Sequence, residues 1–546
     1  MNSLTRSNIG LYTLFAACVL AGFFLNIHAV PLFDLDEGAF SEATREMFVR
    51  GDFISPYLNG APRYDKPVLI HWLQAASVWT LGLNEFALRL PSALAATLWV
   101  WLIFLFTKRY TTTAMALYAA IITASTLQIS LIAKAAIADA LLNLFLSGAL
   151  FSTYLFYQSR ELRYVYLSAA AMALGFLTKG PVAVVIPLAV SLLFFLSKGE
   201  FRTWLMALFN LRAMALFGLL ALPWYIAQYL REGDAFIQGF FFKHNIARFG
   251  ETFEQHGGGF FYYIPVVLIG LLPYTVLLFK TFTHFGEIVN DDLKRYLLIW
   301  FLFVLIFFSF SGTKLPHYAV YGYPAAIILM AMYLDTLRSG FMILLPPLLL
   351  FTALLFLPEL IHAWLAAVHD VFIRDTLRDA GDYFSFPYRL FFSLAILLTV
   401  YFMFENRFSS PGKLLCSGLV TVTGVALFVL PIAGQILQSP IKEAALIAKR
   451  ADYTVVMWGL NAPSFIVDDF AEMGGLNAPS FNVYSERLVE RREPRPGEIA
   501  LTKSSYLPRL KGYETLYYKN GIALIRVKPR IDVSSPAEPA SNSSAQ

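Results

Sequence analysis

The sequence predicts an all-α polytopic membrane protein of about 13 transmembrane helices, followed by a small soluble domain of α/β or α+β type. Three observations carry this reading. Side chains are 58% hydrophobic and only 14% charged, where a soluble chain would carry about 25% charge. Apolar runs of roughly 20 residues, the length that crosses a bilayer, recur up to about residue 435. Beyond Pro440 the composition turns charged, with short β-rich runs such as Tyr453–Met457 and Gly521–Val527. The expected organisation is a membrane domain over 1–435, a soluble domain over 436–531 and a disordered tail over 532–546, which is rich in Ser, Pro and Ala.

The apolar runs lie near 9–30, 88–107, 113–132, 138–157, 163–178, 181–197, 207–227, 261–280, 296–312, 318–335, 341–358, 388–404 and 414–434. The first is too long for a signal-peptide core and has no small-residue cleavage site before Pro31, so it reads as a retained helix. Runs 163–178 and 181–197 read as separate spans or as one unit broken at Lys179-Gly180-Pro181. With Arg6 in the cytoplasm and the spans alternating, every short cytoplasmic loop carries Lys or Arg: Lys108 and Arg109, Arg160 and Arg163, Lys198, Arg202 and Arg212, Lys280, Lys294 and Arg295, Arg338, Arg407 and Lys413. That is the positive-inside pattern. The intervals 31–87, 132–137, 178–181, 228–260, 312–317, 359–387 and everything after 435 then share the outer side.

The first outer interval, 31–87, is anomalously charged for such an apolar chain. Ala39–Arg50 has helical periodicity, with Phe40, Ala43, Met47 and Phe48 on one face and Glu42, Arg45, Glu46 and Arg50 on the other. It is too short and polar to span, and reads as an interfacial helix. Val68–Leu81 follows, with His71, Trp72 and Trp79 suited to an interface. Helical periodicity also covers Ile441–Arg450. The heptapeptide Gly-Leu-Asn-Ala-Pro-Ser-Phe occurs at 459–465 and again at 475–481. Two copies are too few for a solenoid, so this reads as a local duplication.

A net charge of +5 spread over many loops argues against a nucleic-acid partner. Cys18 and Cys416 are far apart in apolar surroundings and make neither a disulfide nor a metal pair. There is no Walker loop, dinucleotide fingerprint or HExxH pair, which leaves nucleotide chemistry on a soluble fold unsupported. Chemistry is left to charged residues of the outer intervals. Asp34, Asp36 and Glu37 crowd together after the first span, where neighbouring acids and partial burial suit a general base; the alternative is an acidic cap on the next helix. Arg63, Lys66, Lys179, Arg248 and Lys314 are candidate phosphate binders, or else interfacial anchors. Lys134 and Asp139 flank one short turn and could pair. Asp65 with His244 or His256 has the donor chemistry for zinc, against ordinary loop histidines.

The stretch DLDEGAFSEATREMFVRGDFISPYLNGAPRYDKPVLIHWL resembles the first periplasmic loop of the aminoarabinose transferases, polyprenyl-phosphate-sugar-dependent glycosyltransferases of GT-C type related to the protein O-mannosyltransferases. The resemblance extends through Leu177–Val182, His244–Phe249 with His256–Tyr263, and Ser311–Tyr318, over roughly residues 10–330. It implies an undecaprenyl-phosphate sugar donor used on the periplasmic side of the bacterial inner membrane. The implied acceptor is lipid A or another periplasmic group. Asp36 would match the family's essential acid, with Glu37 beside it, and Lys66, Lys179, Arg248, Lys314 and Tyr318 would line the lipid-phosphate cavity. Asp65 stands where the family has Glu in Glu-Lys-Pro, a position tied to a divalent metal (zinc or magnesium) held with a loop histidine. Ala39 replaces an Arg usual in the aminoarabinose enzymes. The resemblance implies that the sugar is aminoarabinose or a related one, with mannosyl or other hexosyl transfer to protein or glycan as the alternative, and the two departures point toward a donor that differs from aminoarabinose itself. A transporter is disfavoured because the spans show no internal repeat.

Overall fold

The computed structural model describes residues 2–247, 258–337, 340–459 and 478–528. The apolar runs are helical, yet fewer of them are straight spans than their number implies. Among the described residues, six helices are long and apolar enough to cross a membrane, including Glu85–Tyr110, Asp139–Ser159 and Leu211–Glu232. Three further pairs are bent, at 113–133 by 66°, at 260–282 by 117° and at 340–365 by 58°, giving up to nine. The expected 13 is not reached on this measure. Breaks at Thr126, Leu271–Tyr274 and Phe356 account for the difference between six and nine, and two more of the expected runs, Ile9–Phe24 and Val182–Ser197, form helices too short to count.

In chain order the helices that matter here are α1 (Asn2–Val19), α2 (Asp36–Arg50), α3 (Leu69–Leu81), α4 (Glu85–Tyr110), α5 (Thr113–Ser125), α6 (Leu127–Ala133), α7 (Asp139–Ser159), α8 (Leu162–Lys179), α9 (Val182–Ser197), α10 (Phe201–Leu208) and α11 (Leu211–Glu232). Between α2 and α3 lies a short hairpin, β1 (Tyr57–Leu58) with β2 (Ala61–Pro62). Asn84 caps α4 by accepting from Ala87 N at 2.9 Å, and Thr112 does the same for α5. The α8–α9 junction is a tight reversal at Gly180, where φ is +75° and an added Cβ would lie 2.7 Å from Phe240 Cζ. Only glycine fits both demands.

One buried ion pair folds the chain between the first span and α2. Arg89, one turn into α4, donates from Nε and Nη2 to Glu37 at 2.6 and 2.8 Å. Its remaining donors reach the carbonyls of Ile27 (2.9 Å), Val30 (2.6 Å) and Pro31 (3.0 Å). Glu37 also accepts from Phe33 N and Ala136 N, each at 2.8 Å. Every guanidinium N–H is thereby used, which offsets the cost of burying both charges. Nearby, Lys134 Nζ donates to Ala21 O (3.0 Å) and Leu25 O (2.6 Å) at the end of the first span. It does not pair with Asp139 as the short turn suggested.

The C-terminal unit is a five-stranded mixed sheet in the order β4-β3-β5-β7-β6, built from β3 (Val455–Trp458), β4 (Glu490–Arg491), β5 (Ile499–Lys503), β6 (Tyr513–Lys519) and β7 (Ile522–Val527). β3 runs parallel to β4 and β5, and the other pairs are antiparallel. Asn520 and Gly521, both with positive φ, make the two-residue β6–β7 turn. The amphipathic helix Ser439–Arg450 buries Ile441, Ala444, Ala445 and Ala448 in the core of this unit. The strands and the helix expected from sequence are therefore present.

This unit covers α2, which changes the expected picture of that helix. The helix Pro479–Ser485 packs along α2, and Glu42, Arg45 and Glu46 are 0%, 5% and 1% exposed. Three of the four residues of the face that reads as solvated are buried, with Arg45 held by Glu42 at 2.7 Å, while Arg50 stays exposed. His71 is likewise buried, not interfacial: its Nδ1 lies 3.0 Å from Thr44 Oγ1, and burial lowers it to about 3. Trp79, by contrast, is exposed as expected. Much of the docking is polar. Ser480 donates from N and Oγ to Asp34 at 3.0 and 2.5 Å, Asn482 Nδ2 to Asn59 Oδ1 at 2.6 Å, and Tyr484 OH to Glu85 at 2.9 Å. Leu32 N donates to Tyr484 OH at 2.7 Å, and Lys442 pairs with Glu85. Residues 478–481 belong to the second heptapeptide copy; the first, from residue 460 on, lies outside the described residues.

Two measurements test these contacts. Arg89→Met leaves Glu37 buried without its partner and is expected to cost about 3–5 kcal/mol. Thermal unfolding in detergent should show a large loss, partly recovered when Glu37→Gln is added; a single variant that melts with the wild type removes the assigned role. The second measurement follows Asp34, whose carboxyl is pushed up to about 7 by burial, with the Ser480 bonds opposing. The folded chain holds a proton there that the unfolded chain releases near its ordinary value of 3.8. Stability from this group is therefore greatest at low pH and falls as pH rises between about 4 and 7, with a slope of up to about 1.4 kcal/mol per pH unit. Melting curves of wild type and Asp34→Asn across that window should diverge, the variant being the less pH-dependent; parallel curves count against it.

Candidate active site

The acids of the first outer interval sort themselves by their partners. Asp34 is taken by Ser480, Glu37 by Arg89, Glu42 by Arg45, Glu46 by Arg50 and Asp52 by Arg231. Asp65 is taken by Arg63 and Lys66, and Glu85 by Lys442. Asp36 is different. It opens α2, its side chain is exposed, and among the described residues its carboxylate has no hydrogen bond or ion pair. The pair Asp36–Glu37 thus resolves into one open carboxylate and one whose oxygens are all engaged in packing.

Across from Asp36 lies a buried cluster drawn from three separate intervals. Lys179, the last residue of α8, donates from Nζ to Asp139 Oδ1 at 2.7 Å, and His317 Nε2 lies 3.4 Å from the same nitrogen. Tyr321 OH donates to Asp139 Oδ1 at 2.9 Å. The Lys179 ammonium sits 5.7 Å from the Tyr318 ring centroid and 5.6 Å from that of Tyr321, within the range of cation–π attraction. The charges of Asp36 and Lys66 both act on His317, which joins the open acid, Lys66 and the Lys179–Asp139 pair into one electrostatic unit. Intervals 31–87, 132–137, 178–181 and 312–317, assigned to one side by the charge pattern, meet here.

The other expected residues are placed as follows. Arg63 donates to both oxygens of Asp65 (2.6 and 3.1 Å) and to Ala39 O at 2.8 Å, and lies over the Phe40 ring. It therefore braces α2 as well as the loop. Lys66 Nζ is 3.3 Å from Asp65 Oδ2. Lys314 turns back onto Ser311 O at 2.6 Å. Arg248 and His256 lie outside the described residues. Asp139, His317 and Tyr321 are absent from the list drawn from sequence. Asp139 is a lone acid opening an apolar run, and His317 adjoins Tyr318 in the Ser311–Tyr318 motif; those were the available signals.

Asp65 and His244 fit a divalent metal poorly. Although Asp65 is buried, the cations Arg63, Lys66 and His244 hold it well below the usual carboxylate range. Its oxygens already accept from Arg63 and Lys66, so a cation would have to displace them. Among the described residues no group of three or more His, Cys, Asp or Glu could hold a metal.

In sequence and in fold the chain is similar to several known proteins. Residues 65–226 match a family profile described as dolichyl-phosphate-mannose-protein mannosyltransferase. An uncharacterized protein of Aquifex aeolicus is 33% identical over 307 residues, which is 56% of this chain and 68% of that protein. The undecaprenyl phosphate-alpha-4-amino-4-deoxy-L-arabinose arabinosyl transferase of Yersinia pestis is 32% identical over 332 residues, 58% of this chain. That match spans 59% of the transferase, about three fifths of its length. In fold, the chain superposes on the crystal structure of ArnT from Cupriavidus metallidurans bound to undecaprenyl phosphate with a TM-score of 0.75 at 19% identity, covering 96% of this chain and 99% of that one. The apo structure of the same protein gives 0.74 at 20% identity, covering 95% and 98%. With several apolar spans, the chain is a multi-pass membrane protein that shares the fold of these two structures and resembles the undecaprenyl phosphate-aminoarabinose transferases in sequence.

Proposed function

We propose that the chain transfers a sugar from an undecaprenyl-phosphate carrier to an acceptor at the periplasmic face of the bacterial inner membrane. The acceptor is lipid A, and the sugar is 4-amino-4-deoxy-L-arabinose or a close relative. The observation that carries this reading is the open carboxylate of Asp36, within electrostatic reach of His317 beside Lys66 and Lys179. Such a site accepts an anionic leaving group and a cationic or hydroxyl-bearing partner together.

In the reaction, the bond between the sugar's anomeric carbon and the carrier's phosphate oxygen breaks, and a bond from that carbon to an acceptor oxygen forms. The electron pair leaves with the polyprenyl phosphate. Lys179 and Lys66 stabilise that growing charge. Asp139, held by Lys179 and Tyr321, keeps the ammonium in place without consuming all three of its donors. The sugar passes through an oxocarbenium-like state, and Asp36 stabilises its positive charge or, where the acceptor is a hydroxyl, takes the proton. A lipid A phosphate is already ionised, so there Asp36 acts electrostatically. The scheme runs on the chain's own residues.

The mannosyltransferase description of the matching profile favours a second reading, hexosyl transfer to protein. One experiment separates them. The purified protein is reconstituted with radiolabelled polyprenyl-phosphate aminoarabinose or mannose and offered lipid A or an acceptor peptide. Asp36→Asn is expected to lower turnover by about 10²–10⁴-fold, and Lys179→Met by about 10²–10³-fold, with unchanged melting for Asp36→Asn. A fully active Asp36→Asn protein would sink the catalytic assignment. If the wild type consumes neither lipid-linked sugar, the transferase reading falls.

A further inference from the structure

At the other end of the bundle from Asp36 there is a second cavity, of about 320 Å³, between α7, α8, α9, α10 and α11. It is unconnected with the chemistry above: Thr153 and Phe156 on its wall are 14 and 17 residues along α7 from Asp139, roughly 20–25 Å at 1.5 Å per residue. Its volume falls in the ~300–1,000 Å³ range of ligand pockets. The wall is apolar, and its few polar atoms are already satisfied. Ser168 Oγ donates to Ala149 O at 3.1 Å and lies 3.2 Å from Thr153 Oγ1. Ser191 Oγ donates to Leu188 O and accepts from Trp204 Nε1 at 2.9 Å. A polar ligand would find nothing to bind; an aliphatic chain would lose nothing by entering.

The rim has the opposite character. α10, which bears Trp204, has no buried residue and lies across the mouth as an amphipathic segment. Most charges near the mouth are compensated: Arg160 by Glu200, Arg163 by Glu161 and Lys198 by Asp292. Arg202 and Arg212 are exposed, and among the described residues neither has a hydrogen bond or ion pair. They flank the wall residues Trp204 and Ala213, at the starts of α10 and α11. An apolar slot beneath two uncompensated arginines matches an acyl chain below an anionic headgroup.

We propose that this cavity is a binding site for one anionic glycerophospholipid, its acyl chain between α8 and α11 and its phosphate at Arg202 and Arg212. The site faces the leaflet opposite the reaction and ties α10 to the bundle. The occupant is a glycerophospholipid because the uncompensated charge is at the rim, while the anion-accepting cluster for a polyprenyl phosphate sits at the far end of α7 and α8.

Native mass spectrometry of the full chain in mild detergent, titrated with phosphatidylglycerol or phosphatidylcholine, tests the site. The wild type should retain one phosphatidylglycerol on the order of tenfold more tightly than phosphatidylcholine, two surface charges each contributing a few-fold. Arg202→Ala with Arg212→Ala should abolish that preference. Gly218→Phe should weaken both lipids, because a Cβ at Gly218 meets only Leu222 Cδ1 at 3.4 Å and a larger side chain projects beside it at the wall. Equal retention of the two lipids by wild type, an arginine variant that keeps the preference, or co-purification of polyprenyl phosphate in place of glycerophospholipid overturns the proposal. Should Gly218→Phe fail to fold, the exposed arginine pair decides alone.

Discussion

The Arg89–Glu37 pair is the constraint on which the rest of the active face depends. It is a buried pair in a chain that buries few, and it is fully hydrogen-bonded: the guanidinium binds one carboxylate and three backbone carbonyls, and the carboxylate binds two amides besides. Those carbonyls belong to the segment leaving the first span, and one of those amides to Ala136, just before α7. A single residue of α4 thus fixes the exit of one helix, the entry of α2 and the turn that precedes Asp139. Buried pairs of this kind contribute little net stability relative to apolar packing, but they exclude alternative arrangements because each group is costly if left alone. The consequence is geometric. Glu37 points inward, which leaves the preceding residue, Asp36, at the exposed start of α2.

A second layer holds the same stretch from outside. The helix Pro479–Ser485 lies on α2; Val483 packs with Leu32, Val78 and Ala87, and around it run hydrogen bonds between side chains, with Arg491 also within electrostatic reach of Asp34 and Glu42. Apolar docking would be less discriminating, whereas a set of matched donors and acceptors tolerates one register only. The C-terminal unit therefore acts on the outer interval at residues 32, 34, 59 and 85, on either side of the open acid, without touching it.

Much of this was legible from the residues, and what was hidden shares one cause. Periodicity located the apolar helices and α2, and the resemblance named Asp36, Lys66 and Lys179 as candidates, which the structure sets around His317. Partners distant in sequence were not visible. The polar face of α2 looks solvated because nothing in 36–50 reveals a helix 430 residues later that covers it. Nothing in the sequence links Arg89 to Glu37, and Lys134 looks like a partner for its neighbour Asp139 although it binds carbonyls of the first span. The bent spans escaped for a related reason: composition records how apolar a run is, and a break such as Leu271–Tyr274 barely alters it. His317 was hidden by its ordinary setting, a histidine after proline in a short loop.

The distribution of partners also accounts for how cations are kept beside Asp36 in so apolar a chain. A cluster of unpaired cations would be costly to keep near a membrane before any substrate arrives. Here each cation is kept by an acid that it does not exhaust. Lys179 spends one donor on Asp139 and approaches His317 with another, and Lys66 shares Asp65 with Arg63, whose planar fork occupies both of that acid's oxygens. An ammonium has three donors and adapts its direction, so Lys179 is not exhausted by Asp139. An arginine in either place would hold its remaining donors in the fixed plane of its fork, as Arg89 and Arg63 do toward backbone carbonyls. The arginines at Arg63 and Arg89 are thus tied both to acids and to backbone carbonyls and build the frame, whereas Lys179 is tied to side chains alone.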